Sequence, residues 1–224
     1  ARAQASAGDE GTYFIKGGTV GNPGGQRLAN TSILVRNNRI VGVGKRGSVN
    51  VPAGAKVIDV SGKTIIPGFV DTHSHFRASG GLHRDPVWSY VANLAYGVTT
   101  GRDPQTGTTD VLSYEDQVLA GNILGPRIYS TGPGLFGAGN GNGENIRDLN
   151  HARTVLKRYS DYYDTKTLKE YVTGNREQRQ WIIQAANELK LMPTTEGSLD
   201  IKMNITEMID GYSGHEHTIP TFPL

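Results

Sequence analysis

The sequence contains no cysteine, and this absence excludes several chemistries at once. A chain without cysteine has no disulfide framework, no thiolate zinc site and no cysteine nucleophile. Uninterrupted apolar runs of about 18 residues are also missing, so no transmembrane helix is expected. The 23 Lys and Arg residues nearly balance the 21 Asp and Glu residues, which gives no basis for a nucleic-acid partner or for binding to a charged membrane surface.

Three common enzyme signatures are missing as well. The sequence has no Gly-x-Ser-x-Gly nucleophile elbow, no phosphate-binding P-loop and no glycine fingerprint of dinucleotide binding after a strand. Glycine, in contrast, is abundant at 30 of 224 residues, which favours tight turns and close backbone approaches. The length suffices for a sizeable core. Residues 1–11 are expected to be a linker or a disordered terminus.

The next part of the chain has the pattern of short strands. Asn37-Asn38 separates two β-rich stretches, and paired asparagines tolerate the positive φ values of a two-residue hairpin turn. Residues 61–63 (Ser-Gly-Lys) separate two further β-rich stretches and predict a second tight turn. Residues 12–66 are therefore predicted to form a small antiparallel β unit.

From residue 67 to residue 224 the pattern changes to alternating strands and helices. Six predicted strands alternate with five predicted helices, which is typical of an α/β fold with a parallel sheet. The first of these helices is expected to begin at Pro86, with Asp85 as its N-cap. The clearest helix has Asn175 at the N-cap and Gln178 at the capping-box position. Periodicity alone leaves open whether the sheet closes into a barrel.

Four of the six histidines form two His-x-His pairs. His73 and His75 follow a short apolar strand, and residues two apart in an extended strand point to the same side. Two imidazoles on one side can chelate a metal ion, a role that suits zinc, manganese, iron or nickel. Two surface histidines at a strand end are the alternative. The second pair, His215 and His217, does not by itself predict a metal site. One of the two histidines could instead form a hydrogen bond to a metal ligand without touching the metal.

Three further residues at predicted strand ends are candidates for the same site. Lys169 lies on a strand, where a lysine facing a barrel mouth is costly unless its charge is used or modified. The alternative is that Lys169 is an ordinary surface lysine. The residue pattern also does not show whether Lys166 or Lys169 is the lysine that faces the site. Glu196 can ligate a metal or activate water, or it is a solvated loop charge. Asp103 is either a hydrogen-bond acceptor behind the site or a loop-capping residue.

Several stretches of the sequence resemble the amidohydrolase superfamily of metal-dependent hydrolases. They are similar in particular to its imidazolonepropionase- and prolidase-like branch, including large forms in which a β-propeller precedes the hydrolase. The stretches are residues 65–75 (IIPGFVDTHSH), 95–100 (AYGVTT), 125–128 (GPRI) and 210–217 (DGYSGHEH). The first is the most specific, and the resemblance extends over about residues 13–224.

The resemblance implies a (β/α)8 TIM-type barrel accompanied by part of a β-sandwich. Residues 12–66 would belong to the β-sandwich, and residues 67–224 to an incomplete barrel of about six βα units. The seventh and eighth strands, and the eighth-strand Asp that serves as general base, would lie beyond Leu224. The chain is then expected to be an N-terminal piece of a hydrolase. A missing C-terminal segment or a complementary chain would complete the barrel, and the protein is expected to form an oligomer.

The resemblance also implies a metal centre. Its expected ligands are His73, His75, Lys169, Glu196 and His217, and weaker supporting roles fall to Asp103 and His215. Lys169 matches a family position whose lysine is often carboxylated, and Glu196 stands where a histidine is usual. The implied cofactor is one or two divalent metal ions, with zinc as the first expectation and manganese or iron as alternatives.

The implied function is hydrolysis of an amide, peptide or cyclic-amide C–N bond by metal-activated water. The substrate would be a small molecule or a peptide. Because the expected general base is outside the sequence and the fifth-strand residue differs from the family pattern, the alternative is a non-catalytic scaffold or interaction module that keeps the fold. The similarity to propeller-fused forms suggests a periplasmic or secreted protein, with the cytoplasm as the alternative location.

Overall fold

A computed structural model describes residues 11–21, 24–76, 86–136, 145–171 and 174–217. The strands in these ranges are β1 (Thr12–Gly21), β2 (Arg27–Arg36), β3 (Arg39–Lys45), β4 (Lys56–Asp59), β5 (Thr64–Ile65), β6 (Phe69–Asp71), β7 (Val98–Asp103), β8 (Arg127–Ser130), β9 (Thr167–Glu170), β10 (Met192–Glu196) and β11 (Gly214–Glu216). The helices are α1 (Trp88–Ala95), α2 (Asp110–Leu119), α3 (Leu149–Asp161), α4 (Arg176–Glu188) and α5 (Ile201–Asp210). Within these same ranges, every helix is too short or too polar to cross a lipid bilayer.

The chain divides into two compact units: Ala1–Phe69 with Leu119–Asn122, and Val70–Val118 with Ile123–Leu224. The first unit contains a sheet with the strand order β3-β2-β1-β4, in which β5 also pairs with β1. Strands β2 and β3 form an antiparallel hairpin. Its turn residues Asn37 and Asn38 have φ values of 48° and 58°. The predicted two-residue hairpin is therefore confirmed.

The rest of this sheet corrects the prediction of an all-antiparallel unit. Strand β4 pairs in parallel with the first half of β1, and β5 pairs in parallel with its second half. The turn at residues 61–63 does not fold β5 back onto β4, because both strands continue in the same direction along β1. The sheet is therefore mixed. Its assignment to a β-sandwich stays a prediction.

The second unit has the alternation of strands and helices that the sequence predicts. Among its described residues, strands β6 to β11 form two three-stranded sheets with the orders β6-β7-β8 and β11-β10-β9. Strand pairing is parallel between β7 and β8, between β9 and β10, and between β10 and β11. The segment that follows β8 lies beside β9, where Leu135 forms a parallel bridge with Glu170. The α/β class with parallel strands is confirmed.

The helix boundaries follow local capping chemistry. Helix α4 begins after Asn175, whose side chain accepts a hydrogen bond from the Gln178 amide, and the Gln178 side chain completes the predicted capping box. Helix α1 begins at Trp88 rather than at Pro86, because its N-cap Val87 still has an extended backbone with ψ of 104°. The expected N-cap Asp85 lies outside the described residues.

Two apolar clusters support the strands of the second unit. One includes Leu156, Leu168 and Ile182, and brings α3 and α4 against β9. The other is aromatic and includes Phe76 and Tyr90. A Cβ atom at Gly101 would lie only 2.3 Å from the Phe76 ring, so this strand position of β7 has room for glycine alone.

Candidate metal centre

Strands β9, β10 and β11 carry different side chains on their two faces. In the register of these strands, Lys169 lies beside Thr194 and Thr194 beside Gly214, while Glu196 lies beside Glu216. Side chains alternate along a strand, so one face, here called the inner face, carries Lys169, Thr194, Glu196 and Glu216. The opposite, outer face carries Glu170, Thr195 and His215.

Three of the predicted histidines come together at the carboxyl ends of the strands. The ring centroids of His73 and His75 are 5.1 Å apart, and those of His73 and His217 are 4.5 Å apart. His73 and His75 follow β6, whereas His217 follows β11. The carboxyl ends of parallel strands are where barrel enzymes place their chemistry, and the three imidazoles form a cluster there.

The second His-x-His pair is split between the two faces. His217 has a φ of 66°, a left-handed conformation that ends the strand and turns this side chain toward His73. His215 keeps the strand alternation, and its Nε2 lies 2.9 Å from Glu207 Oε2 on the outer face. The structure therefore brings His217 to the cluster and does not bring His215 to it.

Lys169 and Glu196 also lie in this cluster. The Lys169 side chain is fully buried, and its Nζ lies 2.6 Å from Glu196 Oε2. These two atoms are an ion pair without hydrogen-bond geometry. The other Glu196 oxygen, Oε1, lies 2.7 Å from His217 Nε2. Lys166, in contrast, is exposed and pairs with Asp164. Of the two lysines that the sequence left open, Lys169 is the one in the cluster.

Two residues that the sequence analysis did not single out lie beneath the histidines. Glu216 Oε2 lies 2.7 Å from His73 Nδ1, and its Oε1 accepts a 2.7 Å hydrogen bond from Arg102. Burial alone would raise the pKa of Glu216, but the polar side chains of Thr194, Arg102 and His73 outweigh it and lower that pKa to about 2. The period-two alternation of side chains along β11 could have identified Glu216, because it places Glu216 and His215 on opposite faces of the sheet.

Asp103 is a neighbour of His75. Its Oδ1 lies 3.7 Å from His75 Nδ1, and its carboxylate accepts hydrogen bonds from the backbone amides of Phe76 and Gln105. Burial raises the pKa of Asp103 to about 6, even though both amides act in the opposite direction. A cavity of about 300 Å³ opens beside His75 and Asp103, and its lining is mostly polar: Gln105, Thr106, Thr108 and Asp110.

Known proteins share parts of this sequence and its fold. No family model matches the chain. A dihydroorotase from Lactococcus lactis is 32% identical over 102 residues, which cover 46% of this chain and 23% of the relative. A crystal structure of a prolidase candidate from Bifidobacterium longum superposes with a TM-score of 0.75 at 22% identity, over 91% of this chain and 53% of that chain.

A Xaa-Pro dipeptidase with bound methionine in its active site superposes with a TM-score of 0.69 at 18% identity, over 90% of this chain and 60% of that chain. The chain thus spans a little over half the length of these structures, and its α/β fold is similar to the corresponding part of amidohydrolase-type enzymes. The dihydroorotase and prolidase relatives are hydrolases that act on C–N bonds. The sequence and the fold are thus similar to those of amidohydrolase-type enzymes. The resemblance inferred from residues 65–75 is thereby confirmed.

Members of the amidohydrolase superfamily use divalent metal ions, often zinc. In the part of this chain that the structure describes, no three His, Asp or Glu side chains have the arrangement of a formed metal site. The donor set nevertheless fits a divalent ion, because three imidazoles and one carboxylate are ligands that zinc accepts. His73 Nε2 is buried without a hydrogen-bond partner among the described residues, and a buried polar atom of this kind calls for a partner.

Proposed function

We propose that this chain is part of a metal-dependent hydrolase that cleaves an amide, peptide or cyclic-amide C–N bond. The observation that carries the proposal is the cluster of His73, His75 and His217 around the buried Lys169–Glu196 pair. The fully buried charge of Lys169 is costly at this position unless it is paired or used. The dihydroorotase and prolidase relatives support the same chemistry and do not favour the alternative of a non-catalytic scaffold.

The residues that would hold the metal are His73, His75, Lys169, Glu196 and His217. We propose one or two divalent ions, with zinc first and manganese or iron as alternatives. When bound, such an ion supplies a Lewis acid that polarises a carbonyl and lowers the pKa of water toward about 7. Carboxylation of Lys169 would replace a buried cation by an anionic ligand. A carbamate ¹³C signal after incubation with ¹³C-bicarbonate would test that modification.

The described side chains have distinct tasks in this proposal. Glu196 holds Lys169 and His217 together through its two carboxylate oxygens. Asp103 accepts two backbone amides and so fixes the segment that carries His75. The cavity beside His75 gives space for a small molecule or the end of a peptide. Its polar lining suits a substrate with hydrogen-bonding groups near the scissile bond.

The remaining parts of the proposed enzyme rest on family similarity. The general-base Asp, the seventh and eighth barrel strands and the rest of the β-sandwich would come from a C-terminal segment or from a complementary chain. Assembly into an oligomer and a periplasmic or secreted location belong to the same proposal. These features are open to direct measurement of subunit mass and of cellular location.

The test of the proposed function is metal-dependent hydrolysis by the protein purified together with the C-terminal segment or complementary chain that completes it. The protein is stripped with a chelator, reloaded with zinc, manganese or iron, and assayed with a panel of Xaa-Pro dipeptides and with dihydroorotate. We expect hydrolysis of one substrate class to disappear with the metal and to return on reloading. His217→Ala should abolish it, and the matched Lys166→Ala variant should retain it. Hydrolysis that is indifferent to the chelator would contradict the proposal.

A further inference from the structure

The His73 imidazole is held by a carboxylate whose own position is fixed. Glu216 Oε2 lies 2.7 Å from Nδ1 of His73, and Glu216 is almost fully buried. An ionised carboxylate is only an acceptor, so Nδ1 has to donate the proton of this hydrogen bond. The neutral imidazole then has its lone pair on Nε2. This is the nitrogen that is buried and without a partner among the described residues.

Arg102 fixes Glu216 from the other side. One guanidinium nitrogen donates to Glu216 Oε1 at 2.7 Å, and the other donates to Thr194 Oγ1 at 2.8 Å. The planar fork of arginine thus connects β7 to both β10 and β11. The guanidinium thus holds one Glu216 oxygen and leaves the other 2.7 Å from His73 Nδ1, so the position of the carboxylate relative to the imidazole is fixed.

We propose that Glu216, anchored by Arg102, is a positioning residue that fixes His73 with its proton on Nδ1 and its Nε2 free to bind a divalent metal ion. Carboxylates behind metal-bound histidines commonly set the tautomer and the ring orientation, and they raise the basicity of the ligand. The metal-binding part of this inference rests on the proposed function, whereas the tautomer of His73 does not.

The outer face supplies a matched control for the test. Glu207 is fully buried, lies 2.9 Å from His215 Nε2 and has Arg179 within 3.9 Å. Like Glu216, Glu207 thus has an arginine and a histidine as neighbours. Its histidine, His215, lies outside the imidazole cluster. Glu207→Gln removes the same charge from an equally buried position and should leave the metal site intact.

The first measurement is the tautomer of His73 in the metal-free protein. Two-bond ¹H–¹⁵N spectra distinguish protonated from unprotonated ring nitrogens, and the His73→Asn variant assigns the His73 signals. We expect a single tautomer with the proton on Nδ1 in the original chain. Glu216→Gln should give a mixture of tautomers, since an amide can donate as well as accept. Glu207→Gln should leave the His73 signals unchanged.

The second measurement is zinc affinity, determined by competition with a chromophoric chelator. Glu216→Gln should weaken zinc binding by about 10- to 100-fold, the usual effect of losing a carboxylate behind a ligand. Arg102→Lys keeps the positive charge but loses the fork, and it should give a smaller loss in the same direction. It also serves as a second variant if Glu216→Gln fails to fold. Glu207→Gln should leave the zinc affinity unchanged.

Three results would overturn the inference. They are a His73 proton on Nε2 in the original chain, a Glu216→Gln variant with unchanged tautomer and zinc affinity, and equal losses of affinity in Glu216→Gln and Glu207→Gln. A chain that binds no zinc but has the Nδ1 proton, lost in Glu216→Gln, would overturn the proposed function. That result would support the positioning of His73 by Glu216.

Discussion

The same three residue types meet on both faces of the sheet that contains β11. On the inner face, Arg102, Glu216 and His73 are joined by two contacts of 2.7 Å. On the outer face, Glu207 lies 2.9 Å from His215, while Arg179 is 3.9 Å away. Glu216 and His215 are adjacent in the sequence, so one peptide unit separates the two groups of residues.

The difference between the two groups lies in their surroundings. The inner histidine uses Nδ1 for its carboxylate, stands beside two other imidazoles and keeps a buried Nε2 without a partner in the described part of the chain. The outer histidine uses Nε2 for its carboxylate, which belongs to α5. An Arg–Glu–His group alone is therefore a structural feature of a packed α/β unit. The histidine cluster around the inner group is what supports the proposed metal centre.

The largest effect is expected where the inner face buries a charge. Glu196→Ala leaves the fully buried Lys169 Nζ without its counter-charge, and such a loss destabilises a protein by about 3–5 kcal/mol. Denaturant unfolding with matched slopes measures this change in the free energy of unfolding. Lys166→Ala is the control, because it breaks the exposed Lys166–Asp164 pair, which contributes at most about 1 kcal/mol. Equal effects of the two substitutions would show that Lys169 is not buried as described.

The two histidines of the split pair should respond in opposite ways. His217→Ala should weaken zinc binding by at least about tenfold, because even the loss of a residue that only hydrogen-bonds to a ligand has an effect of this size. The same substitution should change the free energy of unfolding little, since His217 is exposed. His215→Ala should leave zinc affinity unchanged but cost about 1–3 kcal/mol, because Glu207 loses a buried partner. Zinc titration and denaturant unfolding of both variants measure the two effects. If His215→Ala weakened zinc binding as much as His217→Ala, the separation of inner and outer faces would be wrong.

The smallest effect is expected for an exposed pair that has neither burial nor a neighbouring cluster. Arg153 donates two hydrogen bonds of 2.7 Å to Glu188, which connects α3 to α4. These bonds lower the pKa of Glu188. The stabilisation is therefore present above the ordinary pKa of a glutamate and is lost as the pH falls through the lowered value. Glu188→Gln should lower the free energy of unfolding only slightly at neutral pH, by less in high salt, and not at all in acid. A loss of stability that persists in acid would contradict this account.

Much of the second unit could be predicted from local sequence patterns. The strand-helix alternation, the capping box at Asn175 and Gln178, and the convergence of His73 with His75 all depend on residues close together in the chain. Turn chemistry likewise predicted the hairpin at Asn37 and Asn38. Short-range rules succeed at these positions because the conformation is decided within one turn or one strand.

The remaining features depend on long-range pairing or on unusual backbone. Arg102 and Glu216 are 114 residues apart, and no periodic pattern connects them. His217 reaches the inner face because its φ is 66°, a conformation that non-glycine residues seldom adopt. The parallel pairing of β4 with β1 depends on the path of the intervening chain. Sequence periodicity contains none of this information.

The most direct test of the central claim is the zinc content of the purified protein after dialysis, measured by elemental mass spectrometry. The account predicts about one or two zinc equivalents per chain, lost in the His73→Asn, His75→Asn double variant and retained in His215→Ala. Circular dichroism confirms that each variant is folded. An original chain that takes up no zinc, or a double variant that retains it, would contradict the claim that the inner face is a metal centre.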